Sequence, residues 1–323
     1  MMIKKEKIHI AACLDRGYVM PTGVMMYSAC ANNPDVDIDF HLVIDESVTN
    51  DDKKDLVETI IQFEGKKVLF YQVDSQLSKN YPLTHENRLT HAAYYRIFLP
   101  EILPDHICKV IYLDGDCIVR HSLIPLWKTD FSGCAVAVVF DAYERDRIIY
   151  NRLSYPYKKG FFNSGVLLVN LKYWRDNNIV TTCGEFVKHY PERIMQEDQD
   201  VLNVVLQDKI LLIPVTYNFQ TAFLRKVPRW DYWKYEKEIK KAIADPTIVH
   251  FTEGDKPWYK YSHDPHPYRS TFLKYLYLTK WKAFRIERRS KIQILRNYVG
   301  DFLRRIRFKT PVPSIYIDIA PID

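Results

Sequence analysis

The sequence predicts an α/β fold in which helices cover both faces of a mixed, mainly parallel sheet. Short apolar runs of the kind found in buried parallel strands recur along the chain, and segments with helical periodicity alternate with them. No linker rich in Gly, Ser or Pro divides residues 1–270. We therefore expect a single domain over 1–272, followed by a tail over 273–323.

Local patterns predict the individual elements. Apolar or alternating runs predict strands at 7–14, 37–45, 66–73, 109–113, 134–140, 165–171, 209–214 and 246–251. Capping residues, acidic first turns and helical spacing predict helices at 47–65, 90–103, after 171 through Trp174, and 196–207. We expect the helix over 90–103 to stop around Pro100 and Pro104, because proline lacks the N–H that a helix interior needs.

The composition excludes several classes of protein. Of the 323 residues 47% are apolar, which allows a sizeable core, and no apolar run reaches the ~18 residues needed to span a bilayer. Residues 1–13 lack the apolar segment and cleavage site of a signal peptide. The six cysteines are scattered without a CxxC pair, so we expect reduced core thiols in a cytoplasmic protein rather than disulfides or a zinc site.

The segment KVIYLDGDCIV, residues 109–119, places two aspartates directly after a strand that is expected to be buried. In open α/β sheets ligands bind beyond the carboxyl ends of the strands, where Asp114 and Asp116 would lie. Alternate residues of an extended segment point the same way, so the two carboxylates would repel each other unless a cation lay between them. Gly115 allows the backbone to bend close to a bound group. Oxygen ligands suit Mg²⁺ or Mn²⁺, which are commonly shared with substrate phosphates, so the motif predicts a metal–phosphate site.

This motif alone leaves three interpretations open. It could be a surface turn with solvated acids. It could belong to a haloacid dehalogenase-like phosphatase, in which the first aspartate is a nucleophile. Against this, Ile118 stands where that class has Thr or Val, several strands precede the motif, and no convincing later Lys followed by a GDxxxD run is present. The third interpretation is a nucleotide-sugar glycosyltransferase.

Six segments in collinear order resemble glycosyltransferase family 8, in particular its bacterial lipopolysaccharide-type galactosyl- and glucosyltransferases. They are IHIAACLDRGYVMPTGVMMYSA (8–29), YYRIFLPEIL (94–103), KVIYLDGDCIVRHSLIPLW (109–127), FFNSGVLLVNLKYWR (161–175), QEDQDVLN (196–203) and VHFTEGDKPW (249–258). The resemblance extends over residues 7–270. It implies a GT-A fold, which is a Rossmann-like nucleotide-diphospho-sugar transferase fold, with a UDP-sugar donor, Mn²⁺ and retention at the anomeric carbon.

The resemblance also implies a metal and diphosphate site. The ligands of the Mn²⁺ ion, for which Mg²⁺ is the alternative, would be Asp114, Asp116 and His250. Lys256 would reach the departing β-phosphate, and Gly254 would offer backbone contacts to phosphate. Arg96 would either neutralise the diphosphate or hold Asp114.

The remaining donor contacts are implied in the same way. The uracil would lie beside Asp15 and Tyr18, with a backbone contact from Ala11. Asp198 would contact sugar hydroxyls and Gln199 would lie beside the anomeric carbon. The residues implied to bind the sugar are Asp141, Asn163, Asp198 and Gln199. From the residues alone, the acids of the QEDQD segment could serve only to stabilise a helix amino terminus.

These implied contacts lead to an expected reaction. The donor would be UDP-galactose or UDP-glucose, and the acceptor a saccharide or lipid-linked saccharide in cell-surface glycan or lipopolysaccharide synthesis. Retention needs either a nucleophile, for which Asp198 is the nearest acid, or attack from the face of departure, with the Gln199 carbonyl stabilising positive charge. We favour same-face attack, but the sequence leaves both open. A glycogenin-like protein that glycosylates its own tyrosine and a noncatalytic sugar-nucleotide sensor also remain.

The net charge of +6 is concentrated in the tail, since residues 274–323 contain 12 Lys and Arg against 4 Asp and Glu, a local charge of +8. Apolar residues recur there at spacings of three and four and share one helical face, namely Ile292, Leu295, Val299, Phe302 and Ile306. A basic amphipathic helix predicts binding to an anionic membrane, here the inner face of the cytoplasmic membrane. The alternatives are a helix packed on the domain or a nucleic-acid patch, although we expect no nucleic-acid partner.

Overall fold

The computed structural model describes residues 5–84, 90–143, 146–225, 232–254, 256–258, 266–284 and 299. The strands are β1 (Glu6–Leu14), β2 (Val36–Ile44), β3 (Lys66–Gln72), β4 (Lys109–Leu113), β5 (Cys117–Val119), β6 (Val136–Phe140), β7 (Phe162–Asn170), β8 (Ile210–Leu212), β9 (Phe219–Gln220) and β10 (Ile248–His250). The helices are α1 (Val19–Ala31), α2 (Asn50–Ile60), α3 (Leu99–Ile102), α4 (Ile124–Trp127), α5 (Arg147–Leu153), α6 (Leu171–Asp176), α7 (Ile179–His189), α8 (Glu197–Leu206), α9 (Tyr232–Ala244) and α10 (Arg269–Leu276). Short 3-10 helices span Arg16–Tyr18, Ser75–Ser78, His91–Phe98, Tyr157–Lys159, Pro191–Arg193, Val215–Tyr217 and Thr221–Leu224.

Seven strands form the central sheet in the order β3-β2-β1-β4-β7-β6-β8. Its neighbouring strands are parallel except where β7 takes part, because β7 is antiparallel to both β4 and β6. Strands β5, β10 and β9 form a smaller second sheet. The predicted α/β fold with a mixed, mainly parallel sheet is confirmed.

The reversed direction of β7 decides which residues reach the carboxyl edge of the sheet. Strands β1, β4 and β6 end at this edge, whereas β7 begins there. The sequence analysis starts this strand at 165, three residues too late, because Asn163 and Ser164 are polar and do not resemble buried strand residues. Both are buried strand residues in the structure.

Both faces of the central sheet are covered. Along β1, Ile10 and Ala12 belong to one apolar cluster, which includes α1 and the second sheet, while Ala11 belongs to the other. The other cluster contains Tyr112 of β4, Trp174 of α6 and apolar residues of α7 and α8. Burial on both faces explains why these strands appear in the sequence as continuous apolar runs.

Helix α1 is a long element that the sequence analysis does not predict. Its residues from Val19 to Cys30 are all buried, so the helix lacks a polar face and an amphipathic period. Pro21 lies in the first turn, where its missing N–H removes no helical hydrogen bond. A Cβ at Gly23 would lie 2.1 Å from the Trp281 ring, so the absence of a side chain there lets the indole pack on the helix.

The predicted helix over 90–103 has a different form from the one expected. It is a 3-10 helix, His91–Phe98, that continues into the single turn of α3. Pro100 does not stop it, because proline lies in the first turn of α3, where an N–H has no helical partner to lose. Pro104 follows the helix, as predicted.

The first residues of the predicted tail pack on the domain. Trp281 lies against α1, and Nδ2 of Asn32 donates to the Tyr275 hydroxyl at 2.8 Å. Nζ of Lys280 lies 2.5 Å from Oε2 of Glu58 in α2. The domain boundary at 272/273 stays a prediction, but contacts to the domain continue beyond it.

Three further expectations concern the cysteines, the tail and the membrane. The six cysteines are free thiols, but Cys108 lies in the loop before β4 and is exposed rather than in the core. The apolar stripe of the tail lies outside the described residues except for Val299, which is half exposed. Within the described ranges, no helix has the length and apolar character that crossing a membrane requires.

Candidate active site

Polar side chains from five segments meet at the carboxyl edge of the central sheet. Asp15 follows β1, Asp114 follows β4 and Asp141 follows β6, while Asn163 is the second residue of the reversed β7. His250 ends β10 of the second sheet. Together these residues line a cavity of about 380 Å³.

The cavity brings together most of the residues that the sequence predicts for the site. Those that line it are Asp15, Tyr18, Arg96, Asp114, Asp116, Asp141, Asn163, Asp198, Gln199, His250 and Lys256. Ala11 is not among the lining residues, since it is buried in the middle of β1. Gly254 is exposed, between Glu253 and Lys256, which do line the cavity.

Two carboxylates and an imidazole converge inside the cavity. Nε2 of His250 lies 3.6 Å from Oδ2 of Asp114 and 3.3 Å from Oδ1 of Asp116. The other ring nitrogen, Nδ1, lies 3.0 Å from Oδ1 of Asn218. Oδ1 of Asp116 is buried and accepts no hydrogen bond from the described residues. A buried carboxylate oxygen without a donor is stabilised by a cation, so these two aspartates and His250 fit a divalent metal ion.

Two glycines leave the space that this arrangement requires. A Cβ at Gly165 would lie 2.1 Å from Cε1 of His250 and 2.5 Å from Oδ2 of Asp114. A Cβ at Gly115, between the two aspartates, would lie 2.5 Å from the Thr22 hydroxyl oxygen. A side chain at Gly165 would therefore displace His250 or Asp114, and one at Gly115 would displace Thr22 or the turn that carries the two aspartates.

The pKa values of two neighbouring buried groups, Asp116 and Cys117, are shifted in opposite directions. Burial alone would raise the pKa of Asp116, but the charge of Lys256, whose Nζ lies 2.5 Å from Oδ2, helps to hold that pKa below its ordinary value. Cys117 also lies near Asp116 and His250. Burial raises the pKa of the Cys117 thiol well above its ordinary value, so the thiol stays protonated and is a poor metal ligand.

Arg96 connects the two acidic parts of the site. Its Nη2 lies 2.9 Å from Oδ1 of Asp114, and its Nε lies 3.1 Å from Oδ2 of Asp198. Its Nη1 donates to the Ser164 carbonyl at 2.7 Å, and the guanidinium lies over the Tyr112 ring. Burial would lower the pKa of Arg96, but the two carboxylates outweigh it and raise that pKa, so Arg96 remains a cation.

Asp198 is buried in the first turn of α8. Burial raises the pKa of Asp198 to about 7, although the guanidinium of Arg96 opposes this effect. The site therefore holds a carboxyl group whose pKa lies close to neutrality, with a permanent cation beside it.

A second polar cluster surrounds Gln199. Its Nε2 donates to Oδ2 of Asp141 at 3.2 Å, and its Oε1 accepts from the Ser164 N–H at 3.0 Å. Nδ2 of Asn163 lies 3.1 Å from the same Asp141 oxygen and 3.2 Å from Oε1 of Gln199. Burial raises the pKa of Asp141 despite these donors. Amides and a carboxyl group at a cavity wall offer both donors and acceptors to hydroxyl groups.

Asp15 and Tyr18 lie at the end of β1. Oδ1 of Asp15 accepts from the Tyr18 N–H at 3.2 Å, and Oδ2 accepts from the Thr90 hydroxyl at 2.6 Å. The Tyr18 ring meets the Trp258 ring edge-on, with 6.1 Å between centroids. The aromatic and carboxyl groups of this region are partly exposed to the cavity.

Other residues at the site are absent from the sequence predictions. Asn218 contacts His250, as described above, and Glu197 has a φ of 41°, which is uncommon for a residue with a side chain. Oε1 of Glu197 accepts from the Thr84 N–H at 3.0 Å, 113 residues away in sequence. Because these contacts join distant segments, no local pattern indicates them.

Glu253 joins two further segments at the cavity rim. Its Oε1 accepts from the Tyr143 hydroxyl at 3.2 Å and from Nε of Arg225 at 2.8 Å. Tyr143 follows β6, Arg225 comes after β9, and Glu253 follows β10. An acid in the VHFTEGDKPW segment is visible in the sequence, but its partners are not.

The fold and the composition of this edge define a class of protein, the GT-A glycosyltransferases. The structure is similar to that of the galactosyltransferase LgtC in complex with donor and acceptor sugar analogues, with a TM-score of 0.76 and 25% sequence identity. That similarity covers 86% of this chain and 100% of the LgtC chain. Enzymes of this class typically use a divalent metal ion and a nucleotide-sugar donor.

Sequence comparisons identify the family. General stress protein A of Bacillus subtilis (strain 168) is 32% identical over 286 residues, which is 87% of this chain and 97% of that protein. The lipopolysaccharide 1,2-glucosyltransferase of Escherichia coli (strain K12) is 28% identical over 262 residues, 80% of this chain and 75% of that protein. The model of glycosyl transferase family 8 matches residues 9–262. The chain belongs to glycosyl transferase family 8, and its predicted enzyme class is confirmed.

Proposed function

We propose that this protein transfers glucose or galactose from the corresponding UDP-sugar to a saccharide acceptor, with retention at the anomeric carbon. The observation that carries this proposal is the convergence of Asp114, Asp116 and His250 in a cavity that is also lined by amide and carboxyl groups, which can bind sugar hydroxyls. The choice of hexoses is supported by relatives named as a glucosyltransferase and a galactosyltransferase.

The first part of the proposal concerns the metal and the leaving group. Asp114, Asp116 and His250 would hold Mn²⁺, with Mg²⁺ as the alternative ion. A bound divalent ion stabilises the negative charge that develops on a departing diphosphate. Lys256 adds a second positive charge, since its Nζ already lies beside Asp116. Arg96 pairs with Asp114 and Asp198, so we assign to it the role of holding these carboxylates rather than of binding phosphate directly.

The second part concerns the ends of the donor. Asp15 and Tyr18 would bind the uracil through a carboxyl hydrogen bond and ring stacking. Gly254 would offer backbone contacts to phosphate. The cluster that would bind the hexose hydroxyls comprises Asp141, Asn163, Asp198 and Gln199.

The third part concerns the path of the reaction. Asp198 is held by Arg96, which lowers its readiness to attack a carbon, whereas the carbonyl of Gln199 is oriented by the Ser164 N–H. We therefore favour attack of the acceptor from the face that UDP leaves. The Gln199 carbonyl would then stabilise the positive charge that develops on the sugar.

The last part concerns the acceptor and the membrane. The acceptor would be a saccharide of a lipid-linked surface glycan, as the name of the lipopolysaccharide relative supports. The tail, with its local charge of +8, would bind anionic lipid at the inner face of the cytoplasmic membrane. Such attachment would bring the cavity close to a lipid-linked acceptor.

A UDP-release assay tests this proposal. Purified full-length protein would be incubated with UDP-glucose, UDP-galactose and other sugar nucleotides, with Mn²⁺, with Mg²⁺ and with a chelator. We expect release from one of the two UDP-hexoses, dependent on a divalent ion and absent in Asp116→Asn. Metal-independent release, or turnover only with other nucleotide sugars, would contradict the proposal.

A further inference from the structure

A chain of buried hydrogen bonds runs from the backbone of β7 to the imidazole of the metal site. The Gly165 N–H donates to Oδ1 of Asn163 at 3.1 Å. Nδ2 of Asn218 donates to the same Oδ1 at 2.9 Å, and Oδ1 of Asn218 lies 3.0 Å from Nδ1 of His250. The Asn218 side chain is fully buried. Its two polar atoms are therefore both used by residues of the proposed site.

The donor and acceptor order of these hydrogen bonds is set by the backbone N–H of Gly165, which can only donate. A backbone N–H has no acceptor, so the Asn163 atom that faces Gly165 is the amide oxygen. The reversed amide would place that oxygen against the acceptors Asp141 and Gln199, which Nδ2 of Asn163 now contacts. Asn218 must then present its NH₂ group to Asn163 and its oxygen to His250.

The orientation of Asn218 has a consequence for His250. Because an amide oxygen faces Nδ1, the proton of the neutral imidazole lies on Nδ1. Nε2 then presents its lone pair to the space beside Asp114 and Asp116, at 3.6 and 3.3 Å from their oxygens. A hydrogen bond that fixes the ring and its tautomer in this way is what a metal-ligating histidine requires.

The same asparagine also bears on the sugar cluster. Asn163 receives one donor from Asn218 and extends its own NH₂ group to Asp141 and Gln199. A change at Asn218 therefore acts on both sides at once, on His250 and on Asn163. The connection is short, since a single side chain separates the two residues.

We propose that Asn218 is a positioning residue that couples metal binding at His250 to donor-sugar binding at Asn163. This inference rests on the proposed function, in which His250 holds the metal and Asn163 contacts the sugar. Asn218 itself touches neither group. It holds the imidazole in the tautomer that binds metal, and it holds the Asn163 amide in the orientation that serves the sugar.

Two variants of Asn218 separate the two effects. Asn218→Leu keeps the branched shape and the number of heavy atoms but removes both hydrogen bonds. It should weaken Mn²⁺ binding by about 10- to 100-fold, the usual effect of losing the hydrogen bond that orients a metal-binding histidine. Asn218→Asp keeps an acceptor for His250 but turns an oxygen toward Oδ1 of Asn163. It should leave Mn²⁺ affinity within about threefold of wild type and weaken UDP-sugar binding by about tenfold, with little change for UDP.

A matched control tests whether any buried asparagine would give the same result. Asn33 is buried, donates to the Ala29 carbonyl and accepts from the Leu123 N–H, away from the cavity lining. Asn33→Leu should lower the denaturation midpoint without changing affinity for Mn²⁺, UDP or UDP-sugar. Calorimetry with Mn²⁺ alone, then with UDP and the UDP-hexose in the presence of Mn²⁺, measures these affinities on the full chain.

The outcomes distinguish this inference from the proposed function. Wild-type Mn²⁺ affinity in a folded Asn218→Leu variant overturns the role of Asn218 and leaves the function intact. Equal loss of UDP and UDP-sugar binding in Asn218→Asp overturns the coupling to the sugar, and this variant decides the inference if Asn218→Leu does not fold. If wild-type protein binds neither Mn²⁺ nor a UDP-sugar, the proposed function and this inference fail together.

Discussion

Arg96 and Asp198 form a buried ion pair, with 3.1 Å between Nε and Oδ2, although they come from segments that lie 102 residues apart in the chain. The same guanidinium binds Asp114 at 2.9 Å. One cation therefore holds Asp114 and Asp198 together, while Lys256 pairs with Asp116. This arrangement leads to the first prediction.

Replacing Arg96 by methionine should leave the buried carboxyl group of Asp198 and the partly buried one of Asp114 without their cation. Breaking a buried pair by removal of one partner typically costs about 3–5 kcal/mol, so we expect a loss of that size in the free energy of unfolding. Urea denaturation measures it. Lys172→Met, which removes an exposed ion pair with Asp176, should leave the midpoint unchanged. An Arg96→Met midpoint equal to wild type would show that Arg96 is not needed to hold these acids.

Adding a methyl group at Gly165 should disrupt the metal site. The new Cβ would lie 2.1 Å from the His250 ring, so the ring must move, and Mn²⁺ affinity should fall by at least about tenfold. The matched control is Gly184→Ala in α7, where the nearest atom to a Cβ would be the Tyr81 hydroxyl at 3.7 Å. That variant should keep its Mn²⁺ affinity. Calorimetric titration compares them, and equal affinity in both variants would argue against a metal at His250.

Gln199→Ala and Asp198→Asn should differ in kinetics. Gln199 is proposed to act mainly on the transition state, so its removal should lower kcat by at least about tenfold with little change in UDP-sugar affinity. Asp198→Asn also weakens the contact with Arg96 and should reduce both donor binding and kcat. Steady-state rates with equilibrium binding separate these effects. A glycosyl adduct trapped on Asp198 would overturn same-face attack.

His266 should make stability depend on pH. Burial, and then Lys256, lower the pKa of His266 from 6.5 to about 3, and its Nδ1 accepts from the Tyr268 N–H. Below pH 6.5 His266 takes up a proton in the unfolded chain but stays neutral in the folded protein, so protonation favours the unfolded state. The stability of the folded protein with a neutral His266 is therefore complete above pH 6.5 and decreases as pH falls towards 3. Between pH 7 and 5 the loss is about 2 kcal/mol.

His266→Asn provides the control for this pH effect. Its amide oxygen can still accept from the Tyr268 N–H, but the side chain does not titrate. The difference in unfolding free energy between wild type and variant should shrink as pH falls from 7 to 5. A difference that stays constant over this range would show that His266 does not remain neutral in the folded protein.

Two truncations should separate packing from membrane binding. Ending the chain after Phe284 keeps Trp281 on α1, so activity on a water-soluble acceptor should persist while binding to anionic liposomes falls. Ending it after Phe272 also removes Tyr275, Trp281 and Lys280 from the domain and should lower the denaturation midpoint. Liposome sedimentation at two salt concentrations measures the first effect. Undiminished sedimentation of the protein that ends at Phe284 would contradict the membrane proposal.

The strands were largely predictable because buried strands leave continuous apolar runs. The predicted segment 7–14 corresponds to β1 and the segment 109–113 to β4. The direction of each strand was not predictable, since no pattern in residues 162–170 indicates that β7 is antiparallel to β4 and β6. Helix α7 could have been found, because Ile179, Cys183 and Val187 repeat at a spacing of four and are buried. Helix α1 could not, because it is buried on every side and therefore has no amphipathic period.

Predictability at the site followed a similar division. The Asp-Gly-Asp segment could be identified because strand, turn and acids are contiguous. Asn218 could not, because its meaning depends on His250 and Asn163, which lie 32 and 55 residues away. Asp200 accepts from the N–H groups of Met195 and Gln196 at the start of α8, but its burial and the donation from Nη1 of Arg152 at 2.6 Å are not visible in the sequence. Whether an acid is solvated or forms a buried ion pair depends on the fold, so the sequence around Asp200 does not distinguish the two.

Along the reversed strand β7, backbone N–H groups have two kinds of acceptor. The N–H groups of Ser164 and Gly165 donate to the side chains of Gln199 and Asn163, respectively. The residues from Val166 to Val169 instead pair with the neighbouring strands β4 and β6. Hydrogen–deuterium exchange at the first two amides therefore reports opening of the polar network, and exchange along the rest of β7 reports opening of the sheet. Protection gained only at Ser164 and Gly165 would locate a bound ligand in the network without any label on the ligand.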